Sequence, residues 1–135
     1  MACQQLAMPY KTIIHGPLKP GKIFIIRGVV NTDPKRIEFN FRHRFGIAFH
    51  YNPRFDENRI VCNTWDGNWG QEEYPSCMPF KAGQPFEVKI YCTDCGYNVS
   101  VDCHQMHSYN HRFKQLYKID VFEIRGDLQL TSVEA

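Results

Sequence analysis

The chain has 135 residues, 43% hydrophobic and 22% charged, with a formal net charge of +2, enough for one core but not two, so a single domain over 1–135 is expected. So small a charge, with no lysine or arginine block, argues against nucleic acid as a partner. No stretch approaches the roughly 20 apolar residues of a membrane span, and Met1-Ala2-Cys3-Gln4-Gln5 lacks the basic start and apolar run of a secretory signal. Cytosolic synthesis without membrane insertion is expected, with the six cysteines at 3, 62, 77, 92, 95 and 103 mostly as free thiols.

The first residues look extended, and Leu18-Lys19-Pro20-Gly21-Lys22 is a turn. Ile23 to Val30 is rich in β-branched residues and reads as a buried strand closed by Asn31-Thr32-Asp33-Pro34. From Arg36 to Arg42 the pattern alternates, with Ile37, Phe39 and Phe41 inward and Glu38, Asn40 and Arg42 outward. The same period then buries Ile47, Phe49 and Tyr51 and presents Ala48, His50 and Asn52 on the opposite face, where Arg54 joins them. Arg59 to Trp65 splits into Ile60, Cys62 and Thr64 against Val61, Asn63 and Trp65. A turn, Asp66-Gly67-Asn68, frees Trp69 to stand over a groove, and Glu72 can re-enter the sheet.

After Gly83-Gln84-Pro85, Phe86 to Cys92 faces Tyr97 to Val101 across Thr93-Asp94-Cys95-Gly96 as a hairpin. His104 to Asn110 is a further strand candidate, and a short turn is expected near Gln115-Leu116-Tyr117. Ile119 to Arg125 and Leu128 to Val133 flank Gly126-Asp127 and finish the chain. Many short strands punctuated by Pro and Gly argue for an all-β antiparallel β-sandwich.

One face of this arrangement gathers an imidazole, two amides, a guanidinium, a carboxylate and an indole, from His50, Asn52, Asn63, Arg54, Glu72 and Trp69. That set suits a neutral sugar. Hydroxyls both donate and accept, so polar groups in a row tell an axial hydroxyl from an equatorial one by which partners stay unpaired. An indole covers the C–H patch on one side of a galactopyranose ring. Glu72 is expected to pair with Arg54 and hold its guanidinium fork.

His50-Tyr51-Asn52-Pro53-Arg54, Val61-Cys62-Asn63 and Trp69-Gly70-Gln71-Glu72 together resemble the galectin pattern H-x-N-P-R, V-x-N, W-G-x-E-x-R. The likeness extends to Pro9-Tyr10, Leu18-Lys19-Pro20-Gly21-Lys22, Pro79-Phe80, Gly83-Gln84-Pro85-Phe86-Glu87-Val88, His111-Arg112 and Gly126-Asp127-Leu128-Gln129-Leu130. The resemblance implies a jelly-roll of two sheets and a non-enzymatic lectin that needs no cofactor or metal. It implies partners among β-galactosides on glycoproteins and glycolipids, allows a homodimer, and allows export from the cytoplasm without a signal peptide.

The chain departs from the pattern at Tyr74, where the family carries its last arginine. That arginine pairs with the glutamate and contacts the second sugar. Losing a charge-assisted hydrogen bond weakens binding by about 1.5–3 kcal/mol, one to two orders of magnitude in affinity. Tyr74 offers instead a hydroxyl or a stacking face, and the residues alone do not choose. The alternative function is a galectin-fold structural or interaction protein with weak lactose affinity.

Arg42 and His43 precede the recognition strand, where galectins often extend the groove; the plainer expectation is a solvated loop with Arg44. Cys92, Cys95, Cys103 and His104 invite a zinc site. The hairpin opposes it, since Cys103 would lie about 20 Å from the turn that holds Cys95. Cys92 with Cys95 could form an oxidisable pair, and Cys3 could cross-link chains. Glu72 and Glu73, as strand neighbours, point to opposite faces and cannot act as paired carboxylates across one glycosidic bond. Cys62 faces away from His50, which removes a nucleophile and base pair.

Overall fold

Runs of alternating apolar and polar residues become strands in the computed structural model, which describes residues 5–135. The strands are β1 (Tyr10–Ile13), β2 (Ile23–Val30), β3 (Ile37–His43), β4 (Gly46–Arg54), β5 (Arg59–Trp65), β6 (Pro85–Cys92), β7 (Gly96–Val101), β8 (His104–Asn110), β9 (Val121–Gly126) and β10 (Leu128–Glu134). A 3-10 turn at Leu116–Lys118 lies where a short turn is expected. Cys3 falls outside the described residues.

Two five-stranded antiparallel sheets form, one in the order β1-β9-β3-β4-β5 and the other β10-β2-β6-β7-β8. Their inner faces share one apolar core, making an antiparallel β-sandwich. Phe41 of β3 joins the two layers. Its ring centroid lies 4.9 Å from Phe24 and 5.3 Å from Tyr97, both in the opposite sheet, and 4.9 Å from Phe122 beside it. Each such ring, fully buried, contributes about 1.5–3 kcal/mol of hydrophobic stabilisation.

Two expectations are corrected. β2 is buried on one face only: Phe24, Ile26 and Val30 enter the core, while Arg27 is exposed and pairs with Glu87 and Glu134. Its β-branched content marks a strand but does not say whether both faces are covered. In β4 the alternation breaks before His50. Ile47 pairs with Trp65 and His50 with Asn63, so Ala48 and Phe49 together oppose Thr64 as a β-bulge. Ala48, expected outward, joins the core, while Ile47 is buried outside it. Phe49 and Tyr51 stay inward as expected. Beyond the bulge His50, Asn52 and Arg54 therefore keep the expected face.

The turn between β9 and β10 aligns β3. Gly126 has φ +111°, and a Cβ there would meet the Arg36 carbonyl oxygen at 2.3 Å. Asp127 Oδ2 then accepts from the backbone N–H groups of Lys35 and Arg36, at 2.8 and 3.2 Å. This fixes the entry to β3, the neighbour of the strand that carries His50.

Candidate functional site

On the outer face of β3, β4 and β5 lies an open groove of about 480 Å³. His50, Asn52, Arg54, Asn63, Trp69 and Glu72 all line it, joined by Arg36, Glu38, Val61 and Gly70. Cross-strand pairing brings the parts together: His50 sits opposite Asn40 on one side and Asn63 on the other. The segment after β5 folds back alongside it, bridging Trp65 to Trp69 and Cys62 to Glu73. Trp69 is half exposed, with its indole 4.8 Å from the His50 ring.

Hydrogen bonds fix the polar groups before any ligand arrives. Asn40 Nδ2 donates to Glu38 Oε1 at 3.2 Å and to Glu123 Oε1 at 3.1 Å, so its Oδ1 faces His50 Nδ1 at 2.6 Å. His50 must then carry its proton on Nδ1, leaving Nε2 as an acceptor. Burial pushes the imidazole below its usual range, against the pull of Glu38 and with the help of Arg54. It is therefore neutral near pH 7.

Asn52 gives one N–H to the Ile37 carbonyl at 2.8 Å and accepts from Arg54 Nε at 2.8 Å. One amide hydrogen remains. Asn63 Oδ1 accepts from the Thr64 backbone N–H at 2.8 Å and from Arg112 Nη1 at 3.1 Å, while Nδ2 donates to the Gly70 carbonyl at 2.9 Å. It too retains one donor. Gly70 lies close beneath this contact: a Cβ there would come within 2.9 Å of Arg112 Nη1 and 3.3 Å of Asn63 Oδ1 and would push the guanidinium aside.

Arg54 is held by Glu57, at 3.1 Å from Nη1, and by Glu72, at 3.7 Å from Nη2. Tyr74 donates its hydroxyl to Glu72 Oε1, and the Arg59 guanidinium lies 3.8 Å from the Tyr74 ring centroid. The nearby carboxylate raises the phenol's pKa, so the hydroxyl remains a donor. Of the two readings the residues leave open, the hydroxyl is used on Glu72 and the ring on Arg59.

Glu73 points the other way, toward Arg112 at 3.0 Å and His107 at 3.2 Å. Cys62 is buried in the core, and burial pushes its thiol far up, so it is protonated. Arg42 closes the alternating run of β3 on its outward face, and His43, expected in a solvated loop, instead ends that strand. Arg42 pairs with Glu123 at 3.1 Å, and His43 is buried against Phe113 with ring centroids 3.9 Å apart. Neither lines the groove. Cys92 is buried, Cys95 and Cys103 are exposed, and all three are free thiols. Among the described residues, no group of three His, Cys, Asp or Glu side chains is placed to hold a metal ion.

Of the supporting residues, Glu38 and Asn40 were readable from the outward parity of β3, whereas Glu57 was not. Arg112 carried no such signal because it reaches the site from the loop after β8.

A family model described as galactoside-binding lectin matches residues 9–135. The chain belongs to the galectin family. Galectin-3 of Cricetulus longicaudatus is 43% identical over 131 residues, covering 94% of this chain and 54% of the relative. Human galectin-7 is 36% identical, covering 93% of this chain and 96% of the relative. The chain thus spans about half the length of the galectin-3 relatives it matches and nearly all of galectin-7. Among solved structures, sheep galectin-11 in complex with glycerol aligns with TM-score 0.87 at 26% identity, covering 96% of this chain and 98% of that one. Galectin LEC-6 of Caenorhabditis elegans aligns equally well at 20% identity, covering 96% and 91%, and supports the fold alone. The galectin sandwich is therefore the architecture, and no described helix is long and apolar enough to cross a membrane.

Proposed function

We propose that this galectin is a non-enzymatic lectin whose groove recognises β-galactosides through His50, Asn52, Arg54, Asn63, Trp69 and Glu72. The supporting observation is that the donors and acceptors left over in the groove are complementary to sugar hydroxyls. His50 Nε2 accepts from an axial hydroxyl, and the same oxygen accepts from the spare N–H of Asn52 and from Arg54. An equatorial hydroxyl would leave those groups unpaired, which is costly in a partly buried site. Asn63 donates to a second hydroxyl, Glu72 accepts, and Trp69 stacks on the apolar face of the ring.

Glu72 between Arg54 and the Tyr74 hydroxyl favours binding over the structural alternative. Its carboxylate is held without the family's last arginine. Tyr74 itself offers no second cation to the neighbouring sugar, so contacts there are weaker. On this reading the domain is a recognition unit, in the cytoplasm or, after export, on cell-surface glycoconjugates. A homodimer would make it multivalent.

The test is lactose titration followed by tryptophan fluorescence and thermal unfolding. Lactose at ten times its dissociation constant stabilises the fold by about 1.4 kcal/mol. The fluorescence change disappears in Trp69→Phe. No response at millimolar lactose, with a response in Tyr74→Arg, would favour the structural alternative.

A further inference from the structure

A row of polar side chains crosses the whole groove-bearing sheet. Lys11 of β1 sits opposite Glu123 of β9, Glu123 opposite Asn40 of β3, Asn40 opposite His50 of β4, and His50 opposite Asn63 of β5. Glu123, Asn40 and His50 are all buried. A buried carboxylate is destabilising unless it is paired, and apolar residues could fill such a row with equal or better stability. Glu123 is outside the groove lining, yet it is well satisfied. Its Oε1 accepts from Arg42 Nη1 and from Asn40 Nδ2, each at 3.1 Å, and Oε2 lies 4.0 Å from Lys11 Nζ.

Asn40 is the member with two ways to stand. An amide turned half a revolution about its last bond offers NH2 where it offered oxygen, with almost no change of shape. Its nitrogen is drawn toward the carboxylates of Glu123 and Glu38, and this leaves the oxygen on His50 Nδ1. Reversing the amide would make His50 Nδ1 an acceptor and move the imidazole proton to Nε2, which faces the sugar. An acceptor in the groove would become a donor.

We infer that Glu123 is a positioning residue that acts, beside Glu38, through Asn40 to set which nitrogen of His50 carries the proton. Arg42 and Lys11 hold the Glu123 carboxylate aimed at Asn40. The consequence for sugar binding rests on the lectin function proposed above; the control of the imidazole does not.

The experiment reads the two nitrogens of His50 by 15N NMR in ligand-free protein, alongside lactose affinity by calorimetry. In the wild type Nδ1 carries the proton and Nε2 is bare. In Asn40→Leu and Glu123→Leu the resonances move toward the opposite form, and the lactose dissociation constant rises about tenfold in the first, as for one lost hydrogen bond, and by a smaller factor in the second. Glu123→Gln retains the wild-type spectrum, because Arg42 holds its amide oxygen where the carboxylate oxygen stood. Glu123→Ala serves if the leucine variant does not fold. A wild-type proton on Nε2, or a folded Glu123→Leu or Glu123→Ala variant whose imidazole resonances stay at the wild-type positions, would overturn the inference. If the wild type binds no lactose but the resonances move as described, the lectin reading fails and the positioning role stands.

Discussion

The Tyr74 hydroxyl donates to Oε1 of Glu72, at the position where the family pattern has an arginine. The same carboxylate lies 3.7 Å from Arg54, so the tyrosine takes over the holding of Glu72 without supplying a charge. Tyr74→Phe keeps the ring under Arg59 and removes only the hydroxyl. Calorimetry should show lactose binding about three- to tenfold weaker, the effect of one ordinary hydrogen bond. Tyr74→Arg should tighten it by about tenfold or more. Equal affinities in all three proteins would mean that Glu72 needs no partner at residue 74.

Acidification should weaken both fold and binding through buried imidazoles. Burial lowers the pKa of His50 and of His43 in the folded chain, whereas in the unfolded chain both titrate near their usual value of about 6.5. Below about 6.5 the unfolded state takes up more protons, so the stabilising contribution is complete above that pH and is lost as pH falls toward the depressed folded values. Lactose affinity should stay flat from pH 8 to about 6.5 and decline once His50 Nε2 protonates. Calorimetry from pH 4.5 to 8 checks this, and tighter binding at pH 5 than at pH 7 would contradict the acceptor role.

The two sheets are also tied by a polar contact. Thr64 of β5 gives its hydrogen to the Ala48 carbonyl at 2.8 Å, so Tyr109 of β8 must donate to Thr64 Oγ1 across 2.6 Å. Burial pushes the Tyr109 phenol up to about 12. Thr64→Val leaves both the bulge carbonyl and the phenol without this partner and should cost about 1–3 kcal/mol in urea unfolding. Tyr109→Phe should cost less, and the double variant should cost clearly less than the sum of the two. Simple additivity would show that the contact does not couple the sheets.

Gly126→Ala should be among the most destabilising single changes on the surface turns. It combines a left-handed backbone with a 2.3 Å approach to the Arg36 carbonyl oxygen, and a loss of about 3 kcal/mol is expected from such strain. A melting temperature within a degree of wild type would mean that the β9 to β10 turn can reshape freely.

Strand parity makes much of this protein legible in its sequence. Side chains two apart on one strand share a face whatever the rest of the chain does, so His50, Asn52 and Arg54 were placed together from sequence, and the spacing of Asn63, Trp69 and Glu72 completed the galectin pattern. Partners contributed from other strands were not readable in that way. The bulge at Ala48 depends on how β3 and β5 register against β4, and the tilt of the Asn40 amide depends on Glu123, which is 83 residues away along the chain. The role of Tyr74 likewise depended on where Glu72 and Arg59 came to rest. A backbone with period two is a local property, but the direction of a hydrogen bond is set by both of its ends, and only the folded sheet brings those ends together.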